Sequence, residues 1–188
     1  MLGQLAERKE TRSLDGRALD PVLHRMLREK PFLANLFLCD AAGVVLASAA
    51  PGYVGRDASH RKYLRDALTA ADLSCGQYAV SAVTGQPVLH SSWPVRDPDG
   101  KIAGVLVAAL DLTRYGQTFD RLELPPGGFL EVLDDQGVRL WRTPEAQDSI
   151  VGRPLDAAVV HKLLGTQHAD LVQFPAQALR DRTVLRLS

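Results

Sequence analysis

Apolar residues along this chain recur at helical spacing in some stretches and as alternating or unbroken runs in others. Leu2, Leu5 and Ala6 open a helical stripe, and Val22, Leu23, Met26 and Leu27 in "LDPVLHRMLREK" continue it, which predicts a broken helix over 1–30. Asp20 and Pro21 read as its N-cap and first helical residue, and Pro31 as its end. "FLANLFLCDAAGVVLAS" (32–48) predicts two strands joined by an Asp-x-x-Gly turn. In "VGRDASHRKYLRDALTAAD" a loop leads to a helix over 59–71, capped by Ser59, with Leu64, Ala67, Leu68 and Ala71 on one face. Strands are expected at "GQYAVSAV", "PVLHSSWPV" and "KIAGVLVAALDL", parted by the turn signals "TGQ" and "RDPDG". A hairpin, a helical crossover and a three-strand meander suit an α+β fold, one antiparallel sheet with helices on one face.

The pattern then returns. "LFLCDAAGVVLAS" (36–48) resembles "LEVLDDQGVRLWR" (130–142), with Asp40 and Gly43 answered by Asp134 and Gly137. "VGRDA" at 54–58 is echoed by "VGRPLD" at 151–156, as expected of a duplicated β-turn-β, loop, helix unit. "LPPGG" (124–128) reads as the linker. After a helix near 155–164, only "ADLVQFPAQ" and "DRTVLRLS" follow, so the second copy is expected to be incomplete.

Composition narrows the classes of function. Acidic and basic residues balance at 22 each among 188, with no basic stripe, which argues against a nucleic-acid partner. The longest apolar run, 102–110, is far short of a bilayer span, and the polar residues after Met1 do not read as a signal peptide. Cys39 and Cys75 are too few for a disulfide framework or a metal site, and Cys39 reads as a buried thiol in an apolar strand. The five histidines show no metal-ligand spacing, and there is no phosphate-binding glycine loop or nucleophile elbow. No enzyme activity, metal or cofactor is therefore expected. A cytosolic PAS-type module holding haem or flavin is the alternative, for which neither Cys75 nor any histidine has supporting neighbours.

In order and spacing, "PFLANLFLCDAAGVVLAS", "VGRDASHRKYLRDAL" and "VSAVTGQPVLHSSWPVRDPDGKIAGVLVAALDL" resemble the double Cache domains of bacterial chemoreceptors, histidine kinases and diguanylate cyclases. The resemblance implies two PAS-like lobes along an N-terminal helix. Here these would be a helical segment at 1–31, a membrane-distal ligand-binding lobe at 32–123 and a truncated membrane-proximal lobe at 124–188. It further implies a small-molecule ligand, membrane anchoring in the full-length protein, an inner-membrane location with this domain facing the periplasm, and a possible homodimer through the N-terminal helix.

Candidate ligand contacts follow from both readings. On a 59–71 helix His60 shares the inward face, Arg61 and Tyr63 flank it, and Lys62, Arg65 and Asp66 point outward. Arg61 is either a solvated residue beside Asp57 or, as the family's Arg-x-Tyr helix start implies, a carboxylate clamp. Strand alternation puts Val105, Val107, Ala109 and Asp111 on one face. Asp111 either caps the turn at Thr113 or, by resemblance, faces the pocket toward a ligand amine. Tyr78 resembles another pocket position, and Ser92, which shares a strand face with His90, completes the set. Relatives that bind amino acids carry Arg-x-Trp-Tyr where this chain has His60-Arg61-Lys62-Tyr63, and an Asp where it has Val80. The expected ligand is therefore a small carboxylate or another small polar metabolite.

Overall fold

A computed structural model describes residues 1–117, 123–126, 128–144 and 150–164. The chain divides into two compact units, the first Met1–Asp111 and the second beginning at Leu112. "ADLVQFPAQ" and "DRTVLRLS" lie outside the described residues.

The first unit opens with helices α1 (Leu2–Ala6), α2 (Lys9–Arg12) and α3 (Gly16–Glu29). The cap of α3 is Asp15, whose carboxylate accepts the Ala18 N–H at 3.0 Å. The expected Asp20–Pro21 start is thus corrected: Pro21 lies inside α3, on its exposed side. Strands β1 (Leu33–Asp40), β2 (Val45–Ser48), β3 (Ser74–Val80), β4 (Pro87–Arg96) and β5 (Ile102–Asp111) form one antiparallel sheet in the order β2-β1-β5-β4-β3. Together the elements make the PAS-like α+β arrangement.

Both faces of this sheet are covered, not one. Alternation sends Leu36, Leu38, Leu106 and Ala108 to one side, against Leu2, Leu5, Leu19 and Leu23 of the N-terminal helices. Leu19 and Leu23 are fully buried, each contributing about 1.5–3 kcal/mol by transfer from water. Phe37, Cys39, Val105 and Val107 face the other way, against Tyr63, Leu64 and Ala67 of α4 (Lys62–Ala67). The sequence pattern showed an apolar stripe at 1–30 but not which layer it would complete.

Helix α4 is also shorter than the expected 59–71. The Asp57 carboxylate takes the Ser59 N–H at 2.7 Å and Arg61 N–H bonds to the Ala58 carbonyl at 2.9 Å. These local bonds turn the backbone before a helix can begin. Arg61 becomes the N-cap in an extended conformation, and His60 precedes the helix, exposed.

The second unit contains α5 (Leu112–Gly116), a hairpin of β6 (Leu130–Leu133) and β7 (Arg139–Thr143), and α6 (Ala157–Leu164). Its hairpin repeats the hydrogen bonding of the first. Asp40 N–H bonds to Val44 O and Asp134 N–H to Val138 O, while each carboxylate takes the N–H of that same valine. Arg56 and Arg153 carbonyls accept the N–H of Val45 and Arg139, and Gly43 and Gly137 carbonyls accept those of Ala58 and Leu155. Where the first hairpin carries Phe37 and Val45, the second carries Glu131 and Arg139, joined by an ion pair at 3.0 Å.

Candidate functional site

Between α4 and the sheet lies a cavity of about 170 Å³, all of its lining drawn from the first unit. Strand β1 supplies Asn35 and Phe37, β5 supplies Ala109, and β4 supplies His90, which pairs with Ala109 across the sheet. Tyr53 closes one side from the loop after β2, and Arg61, Lys62 and Tyr63 close another. The end of β3 and residues Ser81–Val83 form the rim, where Val80 and Val83 are exposed.

Aromatic rings organise the floor. Phe37 meets Tyr53, Tyr63 and His90 edge-on, at centroid distances of 5.1, 6.0 and 6.5 Å. His90 lies flat on Tyr63, 4.4 Å away with 21° between planes. Gly76 permits this close approach of α4 to β3: a Cβ there would come within 3.3 Å of the Tyr63 Cβ and 3.0 Å of the His90 carbonyl. Asn35 is buried and donates to the Ser48 hydroxyl at 3.0 Å, which fixes the polar end of β1.

The charge of the lining has one sign. Arg61 and Lys62 border the cavity, and no Asp or Glu among the described residues does. The Lys62 ammonium bonds the Asp66 carboxylate one turn along α4, whereas Arg61 has no ion-pair partner among the described residues. Burial, helped by the Arg61 charge, pushes His90 down to about 4, so its ring is neutral at pH 7. Burial next to Tyr53 raises the Tyr63 hydroxyl above the ordinary tyrosine range, and burial pushes the Cys39 thiol up to about 12.

Of the six candidates from the sequence, the structure brings Arg61, Tyr63 and Tyr78 to the cavity. Tyr78 borders it beside a bulge between Cys75 and Tyr78, although it pairs with Leu89, in the row that continues to Leu110 on the face covered by the N-terminal helices. His60 is exposed outside the lining. Ser92 and Asp111 are buried on the cavity face of the sheet but outside the lining, in register with Val107 and Val88. The Asp111 N–H bonds to the Phe32 carbonyl at 2.9 Å, tying the end of β5 to the approach of β1. Lys62 was expected to point outward and instead borders the cavity, as the first residue of a helix that starts three residues later than its pattern suggested. Sequence reasoning missed Asn35, Phe37, Tyr53 and Gln77 and gave His90 little weight. Asn35 within the apolar run of β1 was a signal; Tyr53, in a loop, had none.

The sequence matches no family model and no curated protein. Solved structures do match. The extracellular domain of the proposed histidine kinase rpHK1S-Z16 superposes with a TM-score of 0.65 at 23% identity, covering 87% of this chain and 68% of that one. The ligand-binding domain of the Pseudomonas fluorescens chemoreceptor CtaA, in complex with L-serine, gives 0.64 at 20%, covering 84% and 66%. The ligand-binding domain of the Pseudomonas aeruginosa amino-acid chemoreceptor PctC, in complex with GABA, gives 0.57 at 27%, covering 84% and 68%. This chain therefore spans about two thirds of the length of these sensor domains.

Proposed function

Starting from the Cache-type sensor fold shared with these receptor domains, we propose that this chain is the extracytoplasmic sensor portion of a membrane-anchored signalling protein. It binds a small organic anion and passes occupancy to an output elsewhere in the full protein. The observation that carries the reading is Arg61: a guanidinium at the cavity, without an ion-pair partner among the described residues, in a lining that contains no carboxylate. A guanidinium offers a carboxylate two parallel charge-assisted bonds. CtaA and PctC are bound to L-serine and GABA, each with a carboxylate and an ammonium. Among the described lining residues, the cavity offers a cation to the first group and no carboxylate to the second. Its volume suits a molecule near the size of benzene, which fits a cavity of roughly 150 Å³ and is far smaller than haem or flavin. Tyr63 and Tyr78 are the accompanying proposed contacts. No described helix is long and apolar enough to cross a membrane.

The test is a thermal-shift and calorimetric screen of acetate, propionate, butyrate and malonate against the chain and its Arg61→Ala variant. A ligand at 100 times its Kd should stabilise the chain by about 2.7 kcal/mol. Arg61→Ala should weaken binding at least tenfold, about 1.4 kcal/mol, while leaving the unliganded Tm nearly unchanged because Arg61 is exposed. Equal affinity in the variant would overturn the assignment.

A further inference from the structure

The cation at this cavity is accompanied by a neutral hydrogen-bonding edge. His90 is held in place on three sides: flat on Tyr63 at 4.4 Å, edge-on to Phe37 at 6.5 Å, and paired across the strands with Ala109, whose small side chain leaves space beside the ring. No described residue hydrogen-bonds to its imidazole. We propose that the anion is a short 2-hydroxymonocarboxylate, its carboxylate on Arg61 and its hydroxyl on His90. This rests on the anion reading above and goes further, naming His90 as the residue that sets specificity.

Each part of the class follows from the lining. A neutral imidazole has one donor and one acceptor nitrogen, and a hydroxyl can serve either, so the match does not depend on the tautomer. An ammonium only donates; no carboxylate among the described lining residues balances its charge, and Arg61 repels it. An unsubstituted acid would set a methylene against the imidazole edge and strip its water without replacing the bond. A second carboxylate would need a second cation, and the Lys62 ammonium is engaged by Asp66. The cavity of about 170 Å³ keeps the chain short.

Lactate, propionate and alanine share a three-carbon frame and differ at one group, so calorimetry of the whole chain with each sodium salt or zwitterion is the test. Lactate should bind saturably, propionate at least tenfold more weakly, and alanine not measurably. His90→Phe keeps a ring on Tyr63 but removes both nitrogens, and should bring lactate down to the propionate level. Propionate as tight as lactate, or alanine binding comparably, in the unmodified chain would overturn the hydroxyl inference while leaving the Arg61 reading intact. Binding of none of the three, nor of any acid in the preceding screen, would overturn both. The comparison within the unmodified chain stands even if His90→Phe fails to fold.

Discussion

Half-buried beside Phe37, Tyr63 and Ala109, His90 is pushed by desolvation down to about 4 from the ordinary 6.5. Between those values the unfolded chain takes up a proton that the folded chain does not. Stability from this residue is therefore complete above about 6.5 and falls as pH drops toward 4. His90→Phe should remove that dependence. Urea unfolding at pH 7 and at pH 4.5 should show a loss smaller by on the order of 2 kcal/mol in the variant. An equal loss in both proteins would mean the imidazole is solvated in the fold. Ser92 offers a second test at this scale. Its hydroxyl is buried between β3 and β5 and has no hydrogen-bond partner among the described residues. Ser92→Ala should be neutral or stabilising by up to about 1 kcal/mol, since it deletes an unsatisfied group. A clear drop in Tm would show that the hydroxyl makes a bond.

The turn between β1 and β2 shows why some elements were legible in the sequence. Asp40 and Gly43 are bonded within four residues, and Gly43 sits at φ +98°, which side-chain-bearing residues rarely adopt. An added Cβ would also lie 2.6 Å from the Ser59 backbone nitrogen, so Gly43→Ala should cost at least about 1–2 kcal/mol in chemical unfolding. A cost of only a few tenths would mean the turn relaxes freely. Because this chemistry is local, the Asp-x-x-Gly pattern marked the turn in both copies. Strand alternation likewise placed Val105, Val107 and Ala109 on the face that became the cavity wall. The start of α4 was less legible, since apolar spacing carried the helix back to 59 whereas the Asp57–Ser59 bond delays it to Lys62. Least legible was the cavity edge. Tyr53 arrives from a loop, and the bulge before Tyr78 breaks strand alternation, so that its place at the cavity follows from no periodic pattern.

At the scale of the molecule, every residue lining the cavity falls between Asn35 and Ala109, inside the compact unit Met1–Asp111. That unit contains its own sheet and two covered faces. Residues 1–111 expressed alone should therefore unfold cooperatively and bind the same acid within about threefold of the full chain, well under the 1.4 kcal/mol of a tenfold change. Loss of binding in a folded 1–111 fragment would assign part of the site to the second unit. Sensing as proposed requires an anion to enter the cavity beside Arg61. The most direct test is a 1H–15N NMR titration of the full chain with sodium lactate and sodium propionate, following the amides of Arg61, Tyr63, Gln77 and His90. Saturable shifts should concentrate on these residues and be absent in Arg61→Ala. Saturable shifts confined to the second unit, or none at any of the four, would contradict the proposal.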